Sequence, residues 1–269
     1  MKRIFHLERK DSKEIIQPVL CIRIGNKHCS FAIADFVSKQ LGELHYYTAE
    51  EIDETSLVEL ASNHTELNNN YYQVFICYDY SRSEILSQKH FNHDTAADIL
   101  KALYGSAGDV VISEALPEWQ LYNVYGVPTE VHEWLGRKFP TAKFWHQDTL
   151  AIMSSTAETI SNNLQVDFRN EEFSVVAFRN SKLVIAQTFP YSCPDDVLYY
   201  LLKVCQAYEF SQQEVKVHLS GLIDKDSALY KELHQYFIHI DFRCAGNGYD
   251  AHEHPAHFFT SLNDLSQCV

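Results

Sequence analysis

At 269 residues, with 46% hydrophobic and 22% charged residues, the chain is long enough for two globular domains, each with its own core. The 22 Lys and Arg against 36 Asp and Glu give a net charge of −14, which argues against nucleic acid, whose backbone is bound through clustered cations. MKRIFHLERK carries no apolar stretch behind its basic residues and no run approaches a membrane span, so a cytoplasmic protein without membrane insertion is expected, its cysteines buried as reduced thiols.

PVLCIRIG and HCSFAIAD are apolar, β-rich runs separated by Asn26-Lys27, which predicts a hairpin starting near Val19. ELHYYT follows Gly42 as a third strand. DETSLVELASNHTEL puts Leu57, Leu60, Ala61, His64 and Leu67 at helical spacing, with Asp53 as the expected N-cap. Val74 to Cys77 is a short continuous apolar run, the pattern of a strand buried on both faces. In HDTAADILKALYG, Ala96, Leu100 and Leu103 share a helical face and Gly105 supplies the stop. Val110 to Ile112 is then expected to be the strand that closes the first set. The region from about Glu114 to Ser161 holds all three tryptophans. It reads as an insertion with a strand from Trp119 to Tyr125, a helix opened by Pro128 and Thr129, and a strand from Ala142 to Gln147.

The same order starts again near Leu164. LQVDF alternates, with Leu164, Val166 and Phe168 on one side and Gln165 and Asp167 on the other. EFSVVAF and KLVIAQTF follow across the short turns Asn170-Glu171 and Asn180-Ser181. Pro194, Asp195 and Asp196 open a helix in which Leu198, Leu201, Leu202 and Cys205 share a face. VKVHL is a strand ended by Gly221, Asp226 is the expected cap of a helix carrying Leu229, Leu233 and Phe237, and Ile238 to Phe242 is the last strand. The expectation is an α/β fold of two halves, each βββαβαβ with a mixed sheet. The first half covers 1–160, with the insertion at about 114–161, and the second covers 161–269. A cleft between such halves is the default place for a ligand.

Three antiparallel strands followed by helix, strand, helix and strand resemble the ribonuclease-H-like half of the actin and sugar-kinase superfamily. VDFRNEEFSVVAFRNSKLVIAQTFPYSCPDDVLYYLLK and VKVHLSGLIDKDSALYKELHQYF look like segments of its compact pilus-assembly and secretion-platform members. The whole chain, with its C-terminal HFFTSLNDL, also resembles a bacterial family of about this length known as a domain of unknown function. The resemblance implies a nucleotide held by strand-end loops, at positions that fall on Gly25, Asp167, Ser174 and Gly221. It also implies what is altered. Arg23 stands where a magnesium-binding Asp is needed, Arg169 where a Gly is needed, and Leu222 at the second of two paired glycines. None of the nine glycines is adjacent to another, so no glycine-rich phosphate cradle can be drawn. The expectation is a non-catalytic pseudo-ATPase without a cofactor, acting as a protein-binding adaptor or assembly module, with a homodimer as one option. The alternative is a nucleotide-dependent enzyme, ATPase or kinase-like, that uses Asp167 with an altered phosphate loop.

Other constellations are thin. His252, His254 and His257 in HEHPAH are candidate metal ligands, but Pro255 breaks any helix there and exposed loop histidines are the simpler reading. Ser220 lacks the G-x-S-x-G elbow, and His28 and Cys29 point to opposite faces of a strand. Asp35 and Asp167 form a carboxylate pair only if the fold brings them together. In the pairs Tyr46-Tyr47, Tyr71-Tyr72 and Tyr199-Tyr200, one ring is expected to face the core and one the solvent.

Overall fold

The structure is a computed structural model and describes residues 1–8, 15–105, 109–155, 162–243 and 254–267. The described chain divides into two units, 1–150 with 262–267, and 151–243 with 254–261.

In the first unit, β1 (Lys2–Glu8) is followed by β2 (Pro18–Gly25), β3 (His28–Asp35) and β4 (Leu41–Thr48). The β2–β3 hairpin closes at Asn26-Lys27, with Ile24 opposite Cys29. α1 (Glu54–Asn63) starts as expected: the Asp53 carboxylate accepts the Ser56 N–H at 2.8 Å, and Ser56 Oγ accepts the Asp53 N–H at 3.2 Å. Its buried Leu57, Leu60 and Ala61 lie against Leu20, Ile22 and Phe31 of the sheet. β5 (Gln73–Asp79) is buried along nearly its whole length, which is what a continuous apolar run means. Then come β6 (Ser83–Ser87), α2 (Ala96–Tyr104), β7 (Asp109–Leu116), β8 (Leu121–Pro128), α3 (Thr129–Lys138) and β9 (Lys143–His146), with α4 (Gln147–Met153) after them. α2 stops at Gly105, whose φ of 72° is the left-handed conformation that lets its N–H reach the Lys101 carbonyl at 2.9 Å.

The main sheet has the order β1-β4-β3-β2-β5-β9, and a separate small sheet has the order β6-β8-β7. This corrects one expectation. Val110 to Ile112 does not close the first set, because β7 pairs antiparallel with β8, Ile112 opposite Tyr125. β9 takes that place, parallel to β5 after α3. The helices decide it. Val131 and Leu135 of α3 join the main core, whereas Ala96 and Leu100 of α2 pack with Val124 in a core of their own. A three-residue apolar run cannot say which sheet it will enter.

β1 had no expectation, since KRIFHLE buries only Phe5 and Leu7. Its presence makes β4 an inner strand and corrects a second expectation: Tyr46 and Tyr47 are both buried. Tyr46 stacks on Phe5 at 5.0 Å, and on the other face Tyr47 meets His64 edge-on. Tyr72 and Tyr199 are exposed, as one member of each of the other pairs should be.

The second unit contains β10 (Asn163–Phe168), β11 (Glu172–Arg179), β12 (Lys182–Pro190), α5 (Pro194–Ala207), β13 (Lys216–Gly221), α6 (Ala228–Tyr236) and β14 (His239–Phe242). The last helix, α7 (Thr260–Gln267), begins in this unit and ends in the first. The sheet order β12-β11-β10-β13-β14 repeats β4-β3-β2-β5-β9, with the first three strands antiparallel and the last two parallel. Duplication is therefore present as sheet order. Val197, Leu201 and Val204 of α5 and Leu233 of α6 cover one face, and each fully buried aliphatic side chain there is worth about 1.5–3 kcal/mol. α6 is capped by Ser227, whose Oγ accepts the Tyr230 N–H at 3.1 Å, one residue later than expected. Every residue of β10 is buried, Gln165 and Asp167 included, because 254–261 also covers part of its polar side. Cys21, Cys29, Cys77 and Cys205 are buried as well, and burial pushes the Cys29 thiol up to about 12. Among the described residues no helix is long and apolar enough to cross a membrane.

Candidate functional site

The strand ends singled out in the sequence are built differently in the two units. In β2, alternation sends Leu20, Ile22 and Ile24 into the α1 core and leaves Arg23 on the opposite face. Parallel pairing of β2 with β5 sets Gly25 beside Asp79. The Arg23 guanidinium donates to Asp79 Oδ2 through Nε at 2.8 Å, and a terminal nitrogen lies 2.7 Å from the same oxygen. His28 Nε2 is 3.0 Å from it. Arg23 is 5%, His28 4% and Asp79 2% exposed, so this is a buried ionic cluster, where loss of one partner strands the other charge.

Gly25 is needed here because its neighbours leave no room for a Cβ. A Cβ on it would lie 2.5 Å from the His28 ring and 2.6 Å from the Asp79 carbonyl oxygen. The close approach that a glycine permits is taken by an imidazole. His28 and Asp79 were not picked from the sequence. Their signal was register: the residue opening the second strand of the hairpin, and the last residue of the strand parallel to the first.

A second polar group in this unit comes from β6, β7, β8, the end of β9 and the start of α4. His146 Nε2 donates to the Tyr80 carbonyl at 3.0 Å, and its Nδ1 accepts the Asp148 N–H at 3.1 Å, which fixes the orientation of the ring. Ser83 Oγ donates to Asp148 Oδ2 at 2.6 Å. The Tyr125 hydroxyl donates to Glu114 Oε1 at 2.5 Å, and the His146 N–H donates to Glu114 Oε2 at 3.1 Å. Burial raises the Glu114 carboxyl above its ordinary value, while these donors pull the other way. No motif marks these residues, because five elements spread over more than sixty positions of sequence supply them.

In the second unit, three of the residues singled out sit at one end of the sheet. Asp167 is opposite Ser174 on β11 and beside Ser220 on β13, while Phe168 is beside Gly221. Asp167 Oδ1 accepts from Ser220 Oγ at 2.7 Å and from Ser261 Oγ at 3.1 Å. Gly221 has φ +77°, and a Cβ on it would lie 2.1 Å from the Phe168 carbonyl oxygen, which accepts the Leu222 N–H at 2.8 Å. Its conformation and its packing both require glycine. Arg169 is buried; its carbonyl accepts the Tyr191 hydroxyl at 2.7 Å.

Beside this end lies a cavity of about 820 Å³ lined by Asn170, Glu171, Pro190, Tyr191, Asp196 and Tyr200, among others. The Asp196 carboxylate accepts the Ser192 N–H at 2.8 Å and the Cys193 N–H at 3.2 Å, and these bonds hold its pKa below the usual value. Two of the side chains lining it, Glu171 and Asp196, are carboxylates.

The histidine segment does not assemble as a metal centre among the described residues. His252 lies outside them. His254 is partly exposed, and His257 is buried with Nε2 donating to the Ile223 carbonyl at 2.6 Å and its ring stacked on Phe242 at 4.0 Å. Burial also lowers the pKa of His257, which suits this neutral, structural role. Asp35 accepts the Ser38 N–H at 3.0 Å in a turn at the end of β3, where Pro18 is its partner, so it stands at the far end of the first sheet from Gly25.

The chain belongs to the family described as "Protein of unknown function (DUF3822)", which matches residues 8–240. Solved structures share the fold. A Bacteroides thetaiotaomicron protein with actin-like ATPase fold and unknown function is 20% identical, with a TM-score of 0.79, over 95% of this chain and 97% of that one. A PilM-PilN type IV pilus biogenesis complex gives 12% identity and a TM-score of 0.57, covering 94% of this chain and 98% of its own. The ethanolamine utilization protein EutJ from Carboxydothermus hydrogenoformans gives 7% identity and a TM-score of 0.51 over 92% and 88%. No curated protein sequence matches the chain. The fold is that of the actin-like ATPases, as the element order implied.

Proposed function

We propose that this chain is a non-catalytic pseudo-ATPase that uses the actin-like fold as a cytoplasmic protein-binding adaptor or assembly module. The observation that carries the reading is the buried cluster of Arg23, Asp79 and His28. Magnesium and its phosphates need oxygen donors and a backbone they can approach. At the first hairpin the corresponding space holds a guanidinium already neutralised by Asp79, with the His28 ring against Gly25. In the second unit, Asp167 is engaged by two serine hydroxyls, and Arg169 stands where a small residue would let phosphate approach. Gly221, the remaining glycine of that set, is accounted for by its contact with Phe168.

A protein partner is supported by one structural relative, PilM, whose structure is that of a complex with PilN. The net charge of −14 supports a partner other than nucleic acid, and a second copy of the chain is one form such a partner could take. Calorimetric titration with Mg-ATP and with Mg-ADP tests the reading. No saturable heat at millimolar nucleotide is the expected result. Micromolar binding would overturn it in favour of a nucleotide-dependent enzyme, and loss of turnover in Asp167→Asn would then identify the working carboxylate.

A further inference from the structure

We propose that His6, Glu43 and His45 form a binding site for a divalent transition metal of the zinc class on the first unit. The argument stands apart from nucleotide binding and rests on strand register. β1 and β4 are antiparallel neighbours, and His6 is directly opposite His45. Glu43, two residues before His45 on the same strand, shares that face. A cross-strand pair plus the residue at −2 places three side chains on one small patch of a sheet. The carboxylate oxygen Oε1 of Glu43 lies 2.8 Å from His45 Nε2 and 3.1 Å from His6 Nε2. One candidate ligand atom from each of the three residues lies within 4.8 Å of the others. Donors around a tetrahedral zinc, with bonds near 2.0–2.2 Å, are separated by roughly 3.3 Å, so the set is close to ligand spacing already.

Two further features distinguish this patch from a chance surface grouping. His45 is 3% exposed, and its Nε2 is aimed into the cluster from inside the sheet. Its ring is held in place by Phe31 stacked at 4.5 Å, by His6 stacked at 4.2 Å and by His64 edge-on at 4.6 Å. β1 is the edge of the sheet and the His6 side chain is 33% exposed, so an ion has a path in and coordination positions remain on the solvent side.

Two imidazoles and one carboxylate select zinc, cobalt, nickel or ferrous iron over magnesium and calcium, which take oxygen donors. Among the described residues His45 Nδ1 has no hydrogen-bond partner, so they supply no outer acceptor of the kind that sharpens the tightest zinc centres. A dissociation constant of about 1 μM is expected rather than a nanomolar one.

The test uses the full chain without a histidine tag, titrated with zinc chloride at pH 7.5 in a calorimeter. One equivalent should bind. His6→Ala and Glu43→Gln should each weaken binding at least about tenfold, the lower end of what even indirect ligand partners contribute. Titration of unsubstituted protein followed by imidazole ¹⁵N chemical shifts should move His6 and His45 together, a readout independent of whether any variant folds. The proposal is overturned if no stoichiometric binding occurs at 100-fold excess over about 1 μM. It is equally overturned if binding survives both substitutions or the shifts move only histidines of the segment 252–257.

Discussion

The corresponding strand ends of the two units solve one problem in opposite ways. On the reading proposed above, each is an end where nucleotide binding would need an exposed acid and a bare glycine, and each instead has its acid buried among donors. The first unit closes it with charge, Arg23 against Asp79 with His28 beside them. The second closes it with neutral donors, Ser220 and Ser261 against Asp167. An ion pair out of water is held by mutual compensation and fails badly when one side is removed. A carboxylate among hydroxyls degrades in smaller steps, since each bond is replaceable.

The largest effect should therefore fall on the first unit. Asp79→Ala is expected to cost about 3–5 kcal/mol in guanidinium unfolding, because Arg23 would stay buried without its main counter-charge. Arg23→Met combined with Asp79→Ala should recover most of that loss. If the single variant lost under about 1 kcal/mol, the cluster would not be a compensated pair at all. The glycines give the next contrast. Gly221→Ala meets both a left-handed backbone and the Phe168 carbonyl, and should lose about 3 kcal/mol or more. Gly25→Ala, where a side chain can yield part of the space, should lose about 1–3 kcal/mol. A larger loss at Gly25 than at Gly221 would reverse the comparison.

Asp167→Asn should cost only about 1–2 kcal/mol, since an amide oxygen still accepts from the two serines. The smallest effect is one of slope. Glu114 has a raised pKa in the folded chain, so its favourable state is the protonated one. Its contribution is fully present below the ordinary value of 4.5 and is lost as pH rises toward the displaced value. Unfolding midpoints of the native chain measured against Glu114→Gln across this range should show the native chain losing ground as pH increases. A flat difference would mean that Tyr125 and His146 stabilise the ionised form enough to cancel burial.

Much of this architecture could be read from local pattern. The β2–β3 hairpin, the Asp53 cap, the Gly105 stop and the Pro194 opening of α5 are each specified by residues a few positions apart, and they formed as expected. Periodicity placed Arg23, Gly25, Asp167 and Gly221 at or near strand ends, and the family resemblance is what singled them out. What could not be read depends on pairing across the chain. β1 is too polar to announce itself, yet its pairing with β4 buries both Tyr46 and Tyr47. Asp79 meets Arg23 across 56 positions of sequence, a contact fixed by parallel register alone. The exchange of β7 for β9 has the same origin: two short apolar runs compete for one sheet edge, and the helix before each decides.

That small sheet also bears on how the first unit assembles. β6 lies against β8 with Ser83 opposite Tyr125, so the segment between them begins and ends at neighbouring points, and α3 then leads back to the main sheet. Once β6, β7 and β8 have paired with one another, the long stretch between β5 and β9 behaves in loop closure as a much shorter tether. Closure entropy grows only slowly with length, by about 0.6 kcal/mol per doubling, and the prefolded segment removes most of even that. The last parallel strand can then search for its partner over a short arc. A chain that looks topologically costly on paper becomes, in time, a sequence of local steps.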